Sequence, residues 1–142
     1  MAESCSFCDI VAGRLAPTVV YADEDTIAFL DQRQFHPGHV LVIPRRHIAD
    51  IREADEHIAS VVMATVARVA RAVDATFPSD GLSIWHSAGV GANQEVPHLH
   101  VHVHPRRVGD GMLLIYPQPP AYPDHETLER WGAQLRDALL KR

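Results

Sequence analysis

The stretch His98-Leu99-His100-Val101-His102-Val103-His104-Pro105-Arg106 decides how the rest of this chain is read. Four histidines alternate with apolar residues. A period of two is strand periodicity, so the pattern predicts a strand whose one face carries imidazoles. Leu99, Val101 and Val103 then face a core on the other side. Strand rise places neighbouring imidazoles ~6.6 Å apart and His98 ~20 Å from His104. One zinc ion, with Zn–N bonds near ~2.0 Å, cannot hold all four. The row must therefore divide among several jobs. A lone histidine on a half-exposed strand is ordinary. Four on one face repel when charged and need partners when buried. Three chemistries suit such a row: nucleophilic attack on phosphorus through an unprotonated ring nitrogen, proton transfer near pH 7, and metal ligation.

Working outward, 142 residues with 46% hydrophobic content suit one domain with a real core. A net charge of -5 argues against a general nucleic-acid or anionic-membrane binder, while leaving room for a small anionic ligand held by local donors. No signal-peptide pattern and no apolar run of ~18 residues is visible, so a cytoplasmic location is expected. Cys5 and Cys8 are the only cysteines. Their C-x2-C spacing is that of a metal knuckle or a redox pair, and without a thioredoxin-like context metal is the better of the two.

Residues 18–21 and 26–31 read as two strands of a hairpin, and 39–43 as a third strand ended by Pro44. Between 51 and 76, Ile51, Ala54, Ile58, Val61, Val62, Thr65, Val66, Val69 and Val73 recur at spacings of three and four, which predicts an amphipathic helix. Residues 82–86 form a fourth strand, 87–93 a loop, and the histidine stretch a fifth strand. After a proline-rich stretch, Asp124 is expected to cap a last helix reaching Leu140, with Leu128, Trp131, Leu135, Ala138 and Leu139 on its apolar side. Two strand-rich blocks joined by a helix predict an α+β fold: a five-stranded antiparallel sheet with two helices. Its open edges leave room for pairing between chains.

The histidine stretch resembles the motif of the histidine triad family, H-φ-H-φ-H-φ-φ, departing only in His104, where an apolar residue is usual. Asn93-Gln94-Glu95-Val96-Pro97 resembles the family's approach to that motif. Cys5-Ser6-Phe7-Cys8-Asp9-Ile10-Val11-Ala12-Gly13 is similar to the start of bacterial members. Phe29-Leu30-Asp31 resembles their nucleoside-binding strand, and Pro37 to His47 resembles the segment after that strand. The likeness covers residues 5–106 of a single domain, 1–142, whose remainder, 107–142, is a C-terminal helical extension. The resemblance implies a dimer with a continuous ten-stranded sheet. It also implies a nucleotide hydrolase or nucleotidyl transferase that cuts an α-phosphorus bond of a purine nucleotide: a phosphoramidate, an aminoacyl adenylate or a dinucleoside polyphosphate.

The same resemblance assigns roles. His100 matches the nucleophile, which would form a nucleotidyl-histidine later released by water. His102 would hydrogen-bond a phosphate oxygen or the leaving atom. Asp31 would accept from the ribose hydroxyls, and Ile27 and Phe29 would pack near the base. Gln94, with the backbone of 91–96 including Val96, would donate to phosphate oxygens. Ser87 stands where relatives often carry Asn. Glu95 replaces a residue placed near the leaving group and is a candidate general acid. Cys5, Cys8, His47 and His98 would hold a structural zinc, Cys2His2 being a closed tetrahedral set. His104 is expected to be peripheral. Two other classes of function stand beside this one: a nucleotide-binding regulatory module with negligible turnover, and a zinc-binding protein whose histidines serve metal alone.

Overall fold

The computed structural model describes residues 5–141, and its contacts divide the chain into two compact units, Met1–Asp110 and Gly111–Arg142. The first unit runs α1 (Ser6–Val11), β1 (Val19–Ala22), β2 (Thr26–Leu30), β3 (Val40–Pro44), α2 (Glu56–Thr76), β4 (Gly81–Trp85) and β5 (Val101–Arg106). The five strands form one antiparallel sheet in the order β1-β2-β3-β5-β4. This is the expected α+β sheet, with three helices among the described residues where two were expected. The additional one, α1, is a six-residue helix, too short to show apolar periodicity.

β3 is central and buried along its whole length, which is why Val40-Leu41-Val42-Ile43 is an apolar run rather than an alternation. The sheet's two faces bury different partners. Ala28, Val40, Val42, Leu99, Val101 and Val103 pack on α2 through Ile58, Val62, Val66, Val69 and Val73. Ile27, Phe29, Leu41 and Ile43 pack on Phe7 of α1. The buried hydroxyls of Thr26 and Thr65 satisfy each other at 2.8 Å across the sheet–helix interface.

Two boundaries differ from expectation for identifiable reasons. The helix predicted from Ile51 starts at Glu56, because Asp55 caps it by accepting from the Ile58 amide. The preceding Ile51–Glu53 is a separate 3-10 turn capped by Asp50. The histidine strand begins at Val101, not His98. The Leu99 amide bonds to the Ile48 carbonyl and the His98 amide to Val96, so the backbone there leaves the ladder while the in–out alternation of side chains continues. In the second unit, α3 (His125–Leu140) starts at its Asp124 cap as predicted, yet none of its residues is buried. Its Leu128, Trp131, Leu135 and Leu139 are exposed.

Candidate active site

β5 and the extended residues before it bring the histidines onto the α1 side of the sheet, where Phe7 meets the rings of His98 and His100 edge-on. His100 is 5% exposed. Its Nδ1 donates to the His98 carbonyl at 2.7 Å, which fixes the proton on Nδ1 and leaves the Nε2 lone pair free. Burial lowers its pKa, so the ring is neutral near pH 7. His86, just past the end of β4, donates from Nδ1 to the His100 carbonyl at 3.0 Å and accepts the Ile51 amide on Nε2. It thereby pins the backbone of the buried imidazole.

His102 stacks flat on Trp85 (centroids 4.3 Å, interplanar angle 3°) and its Nδ1 lies 2.8 Å from His39 Nε2. His39 Nδ1 donates to the Arg33 carbonyl, with the Asp31 carboxylate 3.7 Å away. A ring that donates from Nδ1 offers a lone pair at Nε2, so the His102 proton sits on Nδ1, pointing at His39. Burial, reinforced by the His100 and His39 rings and Arg33, pushes the His102 pKa down to about 3. His39 was missed as a site residue in the sequence because it opens an apolar strand and lies 63 residues from His102. The Pro37-Gly38-His39 turn was the one local signal. Gln34 holds that turn by accepting from the Gly38 and His39 amides and donating to the Asp31 and His39 carbonyls.

A groove of about 850 Å³ is lined among others by Phe7, Phe29, Asp31, Arg33, Leu41 and Val96. No described histidine lines it, and it borders the rings through Phe7, 5.2 Å from the His100 ring, and Asp31, 3.7 Å from His39. Three predicted binding residues, Phe29, Asp31 and Val96, thus share one cavity. Asp31 accepts the Arg33 amide on Oδ1 at 2.8 Å. Other expectations are corrected. Ile27 is a core residue beside Phe7 and Ile43 and does not line the groove. Both Gln94 amide hydrogens are engaged, on the Ala49 and Val96 carbonyls, and its oxygen accepts the Gly89 amide. The side chain therefore shapes the loop instead of presenting donors to a ligand. Glu95 does not aim a proton at the triad. It is exposed and accepts two bonds from Arg33, at 3.2 and 2.9 Å. Ser87 sits half-buried just past β4. His104, expected to be peripheral, is 0% exposed. It donates from Nδ1 to the Pro105 carbonyl and lies between the His36 and His39 rings.

Cys5, Cys8, His47 and His98 come together as predicted. Their four ligand atoms all lie within 4.8 Å of one another. His47 Nδ1 is 3.2 Å from His98 Nδ1, Cys8 Sγ is 3.2 Å from His47 Nδ1, and both sulfurs are 3.6 Å from His98 Nδ1. Tetrahedral bonds of roughly 2.0–2.3 Å give ligand–ligand edges of roughly 3.3–3.8 Å, so the set fits one tetrahedral ion. The His98 Nε2 proton is committed to the Pro44 carbonyl at 2.8 Å, which turns the Nδ1 lone pair toward the cysteines.

A family profile described as HIT domain matches residues 13–109. The chain is 41% identical over 116 residues to the Bacillus subtilis protein hit, covering 81% of this chain and 80% of that one. The chain belongs to the HIT family. A solved structure of a HIT family protein from Bacillus subtilis superposes with a TM-score of 0.88 at 34% identity, over 95% of this chain and 96% of that one. A histidine triad nucleotide-binding protein from Candida albicans gives 0.86 at 25% identity, over 97% and 99%. An adenylylsulfatase of Arabidopsis thaliana is 27% identical over 108 residues, 76% of this HIT chain and 55% of that protein.

Proposed function

We propose that this HIT protein is a nucleotide hydrolase or nucleotidyl transferase that cleaves an α-phosphorus bond of a purine nucleotide through a nucleotidyl-His100 intermediate. The substrate classes are phosphoramidates, aminoacyl adenylates and dinucleoside polyphosphates. The observation that carries this reading is the tautomer of His100: a buried, neutral ring with Nδ1 held by the His98 carbonyl and Nε2 bearing the lone pair. Similarity to a nucleotide-binding protein and to an adenylylsulfatase supports it.

In this mechanism His100 Nε2 forms a bond to the α-phosphorus as the bond to the leaving group breaks, and the departing electron pair takes a proton that His102 Nε2 has accepted from solvent as the substrate binds. Low proton affinity in the free protein is no obstacle, because the phosphate anion raises it when substrate arrives. The Nδ1–H of His102 rests on His39, and the Asp31 carboxylate beside His39 favours the pair's added positive charge. Water then attacks phosphorus, returns a proton to His102 and restores the His100 lone pair. Dividing one displacement into two is the gain from the covalent step. Asp31 Oδ2 accepts from the ribose hydroxyls, and the base packs near Phe29 and Val96.

Zinc is proposed at Cys5, Cys8, His47 and His98, where it would supply a closed structural crosslink between α1, the segment after β3 and the triad. Thiol ligands of this kind suit a reducing, cytoplasmic setting. A homodimer is proposed through the sheet's open edges, β1 and β4. Among the described residues no helix is long and apolar enough to cross a membrane.

Incubating the wild type and His100→Ala with adenosine phosphoramidate and with diadenosine polyphosphates, while following AMP release, tests the reading. Release by the wild type and its loss in the variant are expected. No release from any of these by the wild type contradicts hydrolysis, and release that persists in His100→Ala contradicts the nucleophile.

A further inference from the structure

Among the described residues lining the groove, Arg33 is the one Lys or Arg. Its backbone is tied firmly into the site. Its amide donates to Asp31 and its carbonyl accepts from His39, the ring that holds His102. Its side chain is treated in the opposite way. It is 71% exposed and held by ion pairs, with the guanidinium on the Glu95 carboxylate and Nε 3.7 Å from Asp31. Glu95 is itself 65% exposed and stands three residues before His98. An exposed pair of this kind contributes little stability and opens readily. The pair therefore bridges the β2–β3 turn and the loop leading into the triad with a clasp that an anion can displace.

We propose that Arg33 is a specificity residue for an anionic leaving group, and that Glu95 occupies its guanidinium until that group arrives. A guanidinium presents paired N–H donors that match phosphate or sulfate oxygens as well as they match a carboxylate. Arg33 also stands one ring away from the triad, since its carbonyl holds His39 and His39 Nε2 lies 2.8 Å from His102 Nδ1. A phosphate or sulfate leaving from the α-phosphorus then exchanges for Glu95 on Arg33, whereas a neutral amine finds no partner there. The inference rests on the reading that the α-phosphate sits at His100, and within the proposed substrate classes it ranks nucleotides that release an anion above those that release an amine.

Nucleotide binding to the full chain tests it without requiring turnover. Titrations with AMP and with ADP, whose β-phosphate stands in for the leaving group, are compared in the wild type, Arg33→Met and Glu95→Gln. The wild type is expected to bind ADP at least about fivefold more tightly than AMP, the scale of one charge-assisted contact. Arg33→Met is expected to bring that ratio near one, and Glu95→Gln to widen it by freeing the guanidinium. Equal binding of ADP and AMP by the wild type overturns the inference alone, as does a ratio that Arg33→Met leaves intact. Failure to bind either nucleotide overturns the inference and the underlying reading together. If turnover is observed, the same variants should alter kcat/KM for an adenylate with a sulfate or phosphate leaving group more than for adenosine phosphoramidate. An equal change for both contradicts the proposal.

Discussion

His102 and His39 share a short contact, and their protons are set by groups outside the triad: the Arg33 carbonyl and the Asp31 carboxylate. Replacing His39 by Asn removes the ring that aligns His102 while keeping a polar side chain. We expect kcat to fall roughly 10–100-fold with a smaller change in KM, the scale of losing a group that orients a functional histidine. Steady-state kinetics check this, and the limb of the pH–kcat profile that reports His102 should move. A second prediction concerns stability. Burial holds the His102 pKa near 3, below its unfolded value, so between about pH 6.5 and 3 the unfolded chain binds more protons than the folded one. His39 and His104 are shifted in the same direction, the nearby Asp31 only partly opposing it at His39. Stability should therefore fall as pH drops from about 6.5 toward 3, by up to about 1.4 kcal/mol per pH unit from His102, with His39 and His104 adding in the same direction. Urea titrations at pH 7 and pH 5 should show a lower midpoint at pH 5. At this scale the sequence was legible where residue types were unusual in pattern. His98, His100 and the C-x2-C pair announced themselves by spacing. His39, His86 and Trp85 did not, because their roles depend on pairing across strands. The Gln94–Ala49 and Glu95–Arg33 contacts carry no local signal because the partners lie 45 and 62 residues apart.

The elements position the site through a few local devices. Asp55 begins α2 by accepting from the Ile58 amide, and Asp55→Ala should cost about 1 kcal/mol. Gly38 closes the turn before His39 at φ +111°, and a Cβ placed there would lie 2.7 Å from the Phe77 ring. Gly38→Ala should cost roughly 2 kcal/mol or more from backbone and contact together. Because the same turn aligns His39, that variant should lose activity beyond what its melting temperature explains. Thermal denaturation alongside kinetics separates the two effects. The long periodic segment and the apolar run of β3 were readable because each buries a continuous face. The start of α2 was overrun because Ile51 and Ala54 extend the helical spacing, while two acidic caps, at Asp50 and Asp55, divide the segment. α1 was missed because six residues span fewer than two turns.

For the whole molecule, the sheet's two faces divide the labour: α2 supplies the core on one, and the imidazole row with Phe7 occupies the other. Cys5, Cys8, His47 and His98 bring the start of the chain against this second face, and the zinc proposed there would fasten α1 to it. Purified protein should bind one zinc per chain by elemental analysis, and Cys8→Ser with His47→Ala should abolish it. Chelation should lower the melting temperature through loss of a ligand that binds only the folded state. An unchanged melting temperature would deny the ion a structural role. Sedimentation velocity is expected to show a dimer, and a strictly monomeric species at working concentration would contradict the proposed pairing. The proposed chemistry turns on the His100 lone pair. Its most direct test is to mix the wild type with adenosine phosphoramidate, quench under alkaline conditions that preserve an N–P bond, and map the adduct by tandem mass spectrometry. The predicted result is an AMP group on His100, absent from His100→Ala. Turnover with the group on another residue, or with none formed at any time, would contradict it.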